Sequence, residues 1–478
     1  MDQHSIANLD KKPMTRSPLL STPYVSFLVI AAAAPLASMI GNLPIALARG
    51  TGANVPVAFL LAGLILLLFT AGFSFIAHRL VRSGAFYAYI AEGLGKPCGV
   101  GAAYCAVIAY SVFAFGLATA SGYFDAQVFQ AIGLKVSWVI CAAASVLLTG
   151  WLNYRSMEAS SKLLGVIIVV ESAVLVVFDV SVILAKGSAA LPLSVFAPNH
   201  WLAPGLGVSL MTAFACFVGF ESAALYGKET ANPKRSIPLA TYIAVLLIGT
   251  FYLTTAWIAV GAIGTADTKS VALAQGGTLI LDLITRYEGQ IAADIAGILL
   301  CTSILATYIA IHAAAARYLH ALADEGLLPH ALARFDEIKK VPKAATIFLS
   351  VVTFLCLGLI MFSDANPYTS IIPVLIGTGT AGIIALQAGA AIAIVFYVYA
   401  HRATAGGLIL TASCGAAIGL CVALATVCMN FSLLSNVATI FVAWLPALYL
   451  AVFVVGLVFS LWLRWRRPLI YARLALEK

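Results

Sequence analysis

Residues 31–44 read Ala31-Ala-Ala-Ala-Pro35-Leu-Ala-Ser-Met-Ile-Gly41-Asn-Leu-Pro44, and they interrupt an apolar run with two prolines and small polar residues. Proline removes a backbone donor and breaks a helix, and unwound backbone is tolerated at bilayer depth only where it is buried in protein or lines a cavity. A second interruption falls in Phe217-Val-Gly-Phe-Glu221, where Gly219 nearly adjoins a carboxylate. The two stretches therefore predict membrane helices that are broken near their middles.

The composition of the rest of the chain is that of an integral membrane protein. Of 478 residues, 62% are apolar and 10% are Asp, Glu, Lys or Arg, whereas soluble domains have roughly 45–50% and 25%. Apolar stretches recur from Tyr24 to Leu463, which excludes a large extramembrane domain, collagen, a disordered chain and a disulfide framework. The nine cysteines contain no C-x-x-C pair, and we interpret them as packing residues.

Hydropathy predicts twelve membrane spans and, at 265–290, an extracellular loop that carries a short amphipathic helix. Residues 1–22 are polar and lack the apolar segment and cleavage site of a signal peptide. The expected spans are 24–48, 54–77, 98–123, 136–153, 160–185, 205–227, 239–263, 291–316, 344–363, 369–400, 406–429 and 435–463.

Lysine and arginine segregate sharply between the two sides of this topology. One side carries 22 of the 27, and the other carries five. Because positively charged loops stay in the cytoplasm, we expect both termini there and the protein in the plasma or inner membrane. The formal charge of +8 then reflects topology, and no nucleic-acid partner is expected. The five residues expected outside are Arg49, Lys135, Lys186, Lys269 and Arg286.

The two breaks begin two groups of five predicted spans. We expect one transmembrane domain, 23–464, with repeat one at 24–185, repeat two at 205–400 and peripheral helices at 406–463. The tails 1–22 and 465–478 would be cytoplasmic. An odd number of spans per group inverts one group relative to the other, as in secondary transporters whose broken helices form the substrate site. The alternative is that proline and glycine only kink these helices.

Three stretches resemble the amino acid/polyamine/organocation (APC) transporter superfamily. They are Phe217-Val-Gly-Phe-Glu-Ser-Ala-Ala224 with Glu229-Thr-Ala-Asn-Pro-Lys-Arg-Ser-Ile-Pro-Leu-Ala240, then Ser83-Gly-Ala-Phe-Tyr-Ala-Tyr-Ile90 with Gly93-Leu-Gly95, and Ala315-Ala-Arg-Tyr-Leu-His-Ala-Leu-Ala-Asp-Glu-Gly-Leu-Leu-Pro329. The resemblance implies an all-α, leucine-transporter-like fold of 5+5 inverted helices plus two peripheral helices. It also implies alternating access for amino acids, polyamines or related amines, driven by protons or exchange. One departure is that the family's Gly-x-Gly falls on Ala37-Ser38-Met39.

Backbone groups freed at the two breaks are the candidate substrate ligands. The N–H groups at the start of a half-helix attract a carboxylate, and carbonyls freed in the sixth span accept from an ammonium group. Aromatic side chains could stack on the substrate, although in membrane helices they more often only pack. The candidate donors are Ser38, Met39 and Ile40. The candidates in the sixth span are Phe214, Cys216, Phe217, Val218 and Gly219, and Tyr110 is the candidate in the third.

Ionisable side chains at bilayer depth are the candidates for proton coupling, because burial there is costly. Glu171 in the fifth span and Glu221 in the sixth are the central acids, while Asp179 and Asp294 lie nearer the outer ends. His312 in the eighth span could relay a proton near neutral pH. The alternatives are that either carboxylate hydrogen-bonds unwound backbone and that the histidine is structural.

The sequence predicts a secondary transporter that imports an amino acid zwitterion or a small amine together with a proton. A polyamine or amine permease and an amino-acid exchanger are the alternatives. An enzyme is not favoured, because no H-E-x-x-H pair is present, and the repeated filter of a channel and the phosphate loop of a pump are also missing. We expect no cofactor or metal, H⁺ as the coupling ion, a small-molecule substrate and the lipid bilayer as partners, and a monomer or homodimer.

Overall fold

The computed structural model describes residues 33–79, 85–155, 158–198, 201, 203–220, 233–336, 339, 341–434 and 440–474. In these ranges the chain is built from helices, and its one extended feature is an isolated bridge between Asp336 and Val341. We number the helices α1 to α17. They are α1 (Pro35–Ala37, Ser38–Asn42 and Leu43–Arg49 in succession), α2 Val55–Arg79, α3 Ala85–Leu94, α4 Lys96–Ala131, α5 Trp138–Arg155, α6 Glu158–Lys186, α7 Leu206–Phe217, α8 Pro233–Ile263, α9 Thr268–Gln275, α10 Leu279–Glu288, α11 Gln290–Asp324, α12 Lys343–Ile360, α13 Ile372–Ala400, α14 Arg402–Met429, α15 Ile440–Trp444, α16 Ala447–Arg466 and α17 Pro468–Arg473.

Eight of the helices in the described part of the chain are long and apolar enough to cross a membrane: α2, α4, α8, α11, α12, α13, α14 and α16. The protein is therefore a multi-pass membrane protein. Helix α7 is apolar but shorter, because it ends at the second break. Each predicted span overlaps a helix within the described residues, while parts of the first, sixth and twelfth spans lie outside those residues. The total of twelve crossings stays a prediction. The segment predicted as a loop at 265–290 holds two short helices, α9 and α10, where one was expected.

Helix α4 occupies the centre of the packing. It contacts α5, α11, α13 and α16, and glycines bring its neighbours close. A Cβ on Gly379 of α13 would lie 2.6 Å from the Phe113 Cβ, and one on Gly122 of α4 would lie 2.4 Å from the Trp138 carbonyl oxygen. Small residues allow this approach where no hydrophobic effect drives helices together in lipid. The face of α4 toward α13 is therefore fixed by backbone contact.

Two lysines tie helix ends together. Lys186, at the end of α6, donates from Nζ to the carbonyls of Gly261 and Ala262 at the end of α8, both at 2.8 Å. Lys96, the first residue of α4, donates to the Tyr471 carbonyl at 3.2 Å and the Ala472 carbonyl at 2.8 Å. Cations at a helix carboxyl end satisfy orphan carbonyls and complement the dipole. The Lys186 contact therefore stabilises the end of the long helix α8, and the Lys96 contact stabilises the end of the short helix α17.

Candidate functional site

Helix α1 begins at a backbone break around Ala34. Ala34 has φ 41°, and it is the one non-glycine residue with positive φ among the residues described. The Ala33 carbonyl before the break accepts hydrogen bonds from the Ser38 hydroxyl at 2.9 Å and the Tyr252 hydroxyl at 2.8 Å. The Ser38 N–H donates to the Ala34 carbonyl at 3.0 Å. The helix thus begins at Pro35, three residues before Ser38, where the proline ring supplies a preset φ.

The break predicted to expose the N–H groups of Ser38, Met39 and Ile40 is therefore displaced. The prediction counted along the family's Gly-x-Gly position, whereas the chain turns into helix at Pro35. A π-helical segment occupies Ser38–Asn42 instead, and such segments often occur at functional sites. The donors that lack intrahelical partners are those of the first turn. One of them, Ala37 N–H, donates to the Ser303 Oγ of α11 at 3.3 Å.

Helix α7 ends where the second break was predicted. Val218 leaves the helical region with ψ 129°, and Gly219 has φ 110°, a conformation that favours glycine. The Cys216 thiol lies 3.6 Å from the Ser38 carbonyl oxygen, to which it donates. The end of α7 therefore contacts the beginning of α1 directly, so the two breaks meet.

A cavity of about 40 Å³ lies between these breaks. Its polar side chains are Ser38, Asn42 and Thr307, and the rest of its wall is apolar. Every lining side chain is neutral, so charges on a bound molecule would be met by backbone dipoles and helix ends. The lining residues are Ala33, Ala34, Ala37, Ser38, Gly41, Asn42, Phe113, Leu117, Ala120, Phe124, Ala215, Val218, Ile304, Thr307, Ile372 and Ile376.

Aromatic rings close one side of the cavity. Tyr368 stacks on Tyr123 with ring centroids 5.3 Å apart, and it meets the edge of Phe124 at 6.0 Å. Its hydroxyl donates to the Gly41 carbonyl in α1 at 3.3 Å. Because Phe124 and Gly41 both line the cavity, Tyr368 packs behind this part of its wall. This aromatic cover consists of Tyr123, Phe124 and Tyr368.

Glu171 is fully buried on α6, beside the cavity wall. Helix α6 packs against both α11 and the first turn of α1. The Ser303 hydroxyl lies next to the carboxyl group, but no hydrogen bond of good geometry reaches either carboxyl oxygen from the described residues. Since Ser303 also accepts from Ala37 N–H, one serine connects the carboxyl group to a residue that lines the cavity.

The family model described as amino acid permease matches residues 20–474, nearly the whole chain. The chain belongs to the amino acid permease family. The match confirms the resemblance to the APC superfamily that the sequence motifs indicated.

Similar permeases are known from bacteria and fungi. The S-adenosylmethionine permease GAP4 of Candida albicans is 25% identical over 68% of this chain and 54% of its own length. The branched-chain amino acid permease BcaP of Bacillus subtilis is 21% identical over 66% of this chain and 70% of its own length. The uncharacterized amino acid permease YecA of Bacillus subtilis is 27% identical over 31% of this chain and 33% of its own length. Against YecA and GAP4, this permease thus spans between a third and about half of the relative's length.

The predicted substrate residues of the permease divide into two groups. Ser38 and Val218 line the cavity. The others are buried behind it, and Gly219 forms the break itself. Tyr110 lies on the same face of α4 as Phe113 but one turn earlier, outside the cavity lining, and its ring contacts that of Tyr318 with centroids 5.0 Å apart. Those packed outside the lining are Met39, Ile40, Phe214, Cys216 and Phe217.

The predicted proton-coupling residues also differ in their surroundings. Glu221 lies outside the described residues. His312 is buried, and both ring nitrogens have partners: Asn153 Nδ2 lies 3.1 Å from Nδ1, and Ser350 Oγ lies 3.0 Å from Nε2. Asn153 also donates to the Ile309 carbonyl at 3.1 Å, which fixes its amide orientation and makes Nδ1 an acceptor. This network favours the structural alternative for His312.

Three residues at the site were not predicted from the sequence. Phe113 lies on the face of α4 that Leu117, Ala120 and Phe124 continue toward the aromatic cover. Ser303 lies within the apolar helix α11, and Tyr368 lies just before the apolar helix α13. Periodicity cannot show which face of a helix points inward when all its faces are apolar. The close approach of Gly379 to Phe113, which only the structure shows, identifies the face of α4 that packs against α13.

Proposed function

We propose that this permease is a secondary transporter that imports an amino acid by alternating access, coupled to protons. The observation that carries the proposal is the neutral cavity between two helix breaks that contact each other. Broken helices at the interface of two repeats form the substrate site in secondary transporters. The proposal includes a leucine-transporter-like fold of two inverted five-helix repeats, 24–185 and 205–400, twelve crossings and two peripheral helices.

The cavity chemistry supports an amino acid zwitterion with a neutral side chain as substrate. A carboxylate would be held at the first turn of α1, where N–H groups without intrahelical partners and the positive dipole end lie. An ammonium group would be held by carbonyls at the end of α7, near Val218. Ile304 and Ile376 offer an apolar wall to the side chain. A polyamine, the alternative substrate, would bring two or more positive charges to a lining without acidic side chains.

Proton coupling is proposed through Glu171. Its carboxyl group is buried beside Ser303, and Ser303 accepts from the Ala37 N–H at the cavity. A change in protonation would alter the hydrogen bonds that Ser303 makes to the substrate end of α1. Loading of the proton from one side and release to the other would link substrate movement to the proton gradient.

The orientation is part of the same proposal. We expect both termini in the cytoplasm and the permease in the cell membrane as a monomer or homodimer. The aromatic cover would then close the cavity on its extracellular side, since it joins the later half of α4 to α13 near residues 265–290.

Uptake into proteoliposomes tests this function. The full chain should accumulate one or more neutral amino acids from a panel of neutral, basic and acidic amino acids and diamines, and an inward proton gradient should increase accumulation. Exchange without net uptake would identify an exchanger. Uptake of diamines alone would overturn the zwitterion proposal, and sodium dependence without pH dependence would overturn proton coupling.

A further inference from the structure

A second cavity lies away from the helix breaks, between α5 and α12. It has a volume of about 410 Å³ and is open to the surroundings of the bundle. This α5–α12 groove is lined by Val146, Leu147, Gly150, Trp151, Tyr154, Ile347, Ser350, Val351, Phe354 and Leu355. Its size is within the range of ligand sites in proteins, about 300–1,000 Å³.

The side chains of the groove face the region that lipid occupies. Leu147 is 65% exposed, Val351 52% and Leu355 62%. The groove follows α5 from Val146 to Tyr154, which at 1.5 Å per residue is a length of roughly 12 Å. An apolar groove of this length fits the part of an acyl chain next to the head group.

Basic side chains gather at one end of the groove. Lys339 and Lys343 place their Nζ atoms 5.7 Å and 5.1 Å from the Tyr154 ring centroid, and the Arg155 guanidinium lies 5.5 Å from that of Trp151. Lys343 also pairs with Asp336 at 2.5 Å. In this group of four residues the positive charges outnumber the negative one.

We infer that the α5–α12 groove binds an anionic phospholipid, with an acyl chain along the groove and the phosphate at the Arg155, Lys339 and Lys343 end. Basic pockets between transmembrane helices bind anionic head groups through such charges. The apolar length and the charge at one end match the two parts of this ligand together. An apolar helix of a partner protein or of a second copy could pack along the groove, but it would bring no anionic group to the basic side chains at its end.

The groove also touches the interior of the bundle. Ser350, which lines it, contacts His312 Nε2 of α11 at 3.0 Å, and α11 carries Ile304 and Thr307 of the neutral cavity. A lipid in the groove would therefore contact the helix pair that holds α11 in position. The inference does not depend on the transported substrate.

Quenching of Trp151 fluorescence tests the inference without a transport assay. The full chain in phosphatidylcholine nanodiscs receives a dibrominated lipid, either phosphatidylglycerol or phosphatidylcholine, in equal amounts. A Trp151→Phe variant supplies the background from the other tryptophans. We expect stronger Trp151 quenching by the anionic lipid, by on the order of tenfold in effective concentration at moderate salt, and a weaker preference at high salt.

Matched variants separate the charge from the groove. Arg155→Gln with Lys339→Gln leaves the Lys343–Asp336 pair intact and should abolish the preference for the anionic lipid. Arg464→Gln with Arg466→Gln removes the same charge from α16 and should preserve it. Val351→Phe fills the groove from its exposed side and should reduce quenching by both lipids. Equal quenching by both lipids in the unmodified chain would overturn the inference. So would a preference for the anionic lipid that survives the Arg155 and Lys339 changes. Loss of Trp151 quenching when the protein self-associates would also overturn it, because a second copy would then occupy the groove.

Discussion

Ser38 connects the two breaks through both its side chain and its backbone. Its hydroxyl donates to the Ala33 carbonyl, and its own carbonyl accepts from the Cys216 thiol. The residue is 6% exposed and lines the neutral cavity. Ser38 therefore contributes both to the contact between α1 and α7 and to the wall of the cavity.

Replacing Ser38 with tryptophan should abolish substrate binding while the protein remains folded. The indole would occupy a cavity of about 40 Å³ and displace the substrate. Uptake in proteoliposomes and thermal unfolding measure the two effects. Ser38→Ala is the control: it removes one hydrogen bond, should lower stability by about 1 kcal/mol, and should retain uptake. Normal uptake by a stable tryptophan variant would contradict the proposed site.

Glu171→Gln should preserve substrate binding and exchange but remove the acceleration of uptake by an inward proton gradient. Glutamine resembles the protonated carboxyl group in shape and can still contact Ser303, but it cannot release a proton. Counterflow and gradient-driven uptake measure the two functions separately. Asp179→Asn is a matched control on the same helix, where Asp179 accepts from Thr255 at 2.8 Å, and it should leave the pH dependence unchanged. Full gradient-driven accumulation by the Glu171 variant would locate the proton site elsewhere.

His312→Ala should destabilise the protein without changing the pH profile of transport. The substitution leaves Asn153 and Ser350 without their ring partners, which costs about 2–4 kcal/mol together. Thermal unfolding and the pH dependence of uptake provide the measurements. A changed pH profile in a variant of near-normal stability would favour the relay role that the sequence predicted.

The stretch from Ala34 to Arg49 combines a left-handed residue, a π-helical segment and regular helix within sixteen residues. The left-handed conformation costs an L-residue about 1–2 kcal/mol, and it is maintained at Ala34 by hydrogen bonds to the carbonyls on both sides of the break. Strain of this kind concentrates at functional sites. The conformation of Ala34 is therefore stabilised by these hydrogen bonds and not by the intrinsic preference of alanine.

Substitution at Ala34 tests whether this conformation is required. Ala34→Val should reduce uptake strongly, because a β-branched residue is excluded from positive φ, whereas Ala34→Gly should keep uptake and stability close to those of the unmodified protein. Initial uptake rates of the two purified, reconstituted variants measure the difference. Equal activity of the valine variant would indicate that the break relaxes during transport.

At the scale of the whole molecule, alternating access requires that one side of the cavity be closed while the other opens. Tyr368 joins α4 and α1 through its stack on Tyr123 and its hydrogen bond to Gly41. A single side chain before α13 therefore links helices from both proposed repeats. This contact is the described feature best suited to hold the cavity closed.

Tyr368→Ala should lower the steady-state accumulation ratio by removing the ring that packs behind the cavity wall at Phe124 and Gly41. Tyr368→Phe keeps the stack and loses only one hydrogen bond, so its accumulation ratio should be close to that of the unmodified protein. Both ratios are measured at the end of gradient-driven uptake. An undiminished ratio in the alanine variant would show that closure depends on other contacts.

Much of the architecture could be predicted because hydropathy and proline or glycine positions act locally. The break at Gly219 and the extents of α2 and α14 follow from such signals. The start of α1 was misplaced because a motif count replaced the physical rule that Pro35 opens a helix. Phe113 was missed in favour of Tyr110, one turn earlier on the same face of α4, because the sequence does not indicate at which turn of this helix the cavity lies. Ser303 was missed because its role depends on a contact with α1, 266 positions away in the sequence.

The contact of Lys96 with the end of α17 bears on how the protein is handled in the laboratory. A lysine at the first position of a helix is unfavourable beside the positive dipole end, and the carbonyls of Tyr471 and Ala472 compensate for it. Removal of α17 would strip these acceptors from the start of the same helix that carries Phe113 and Phe124. A fluorophore or affinity tag is therefore better attached at the amino terminus. A fluorophore at the carboxyl terminus would instead respond to movements of the start of α4 relative to α17.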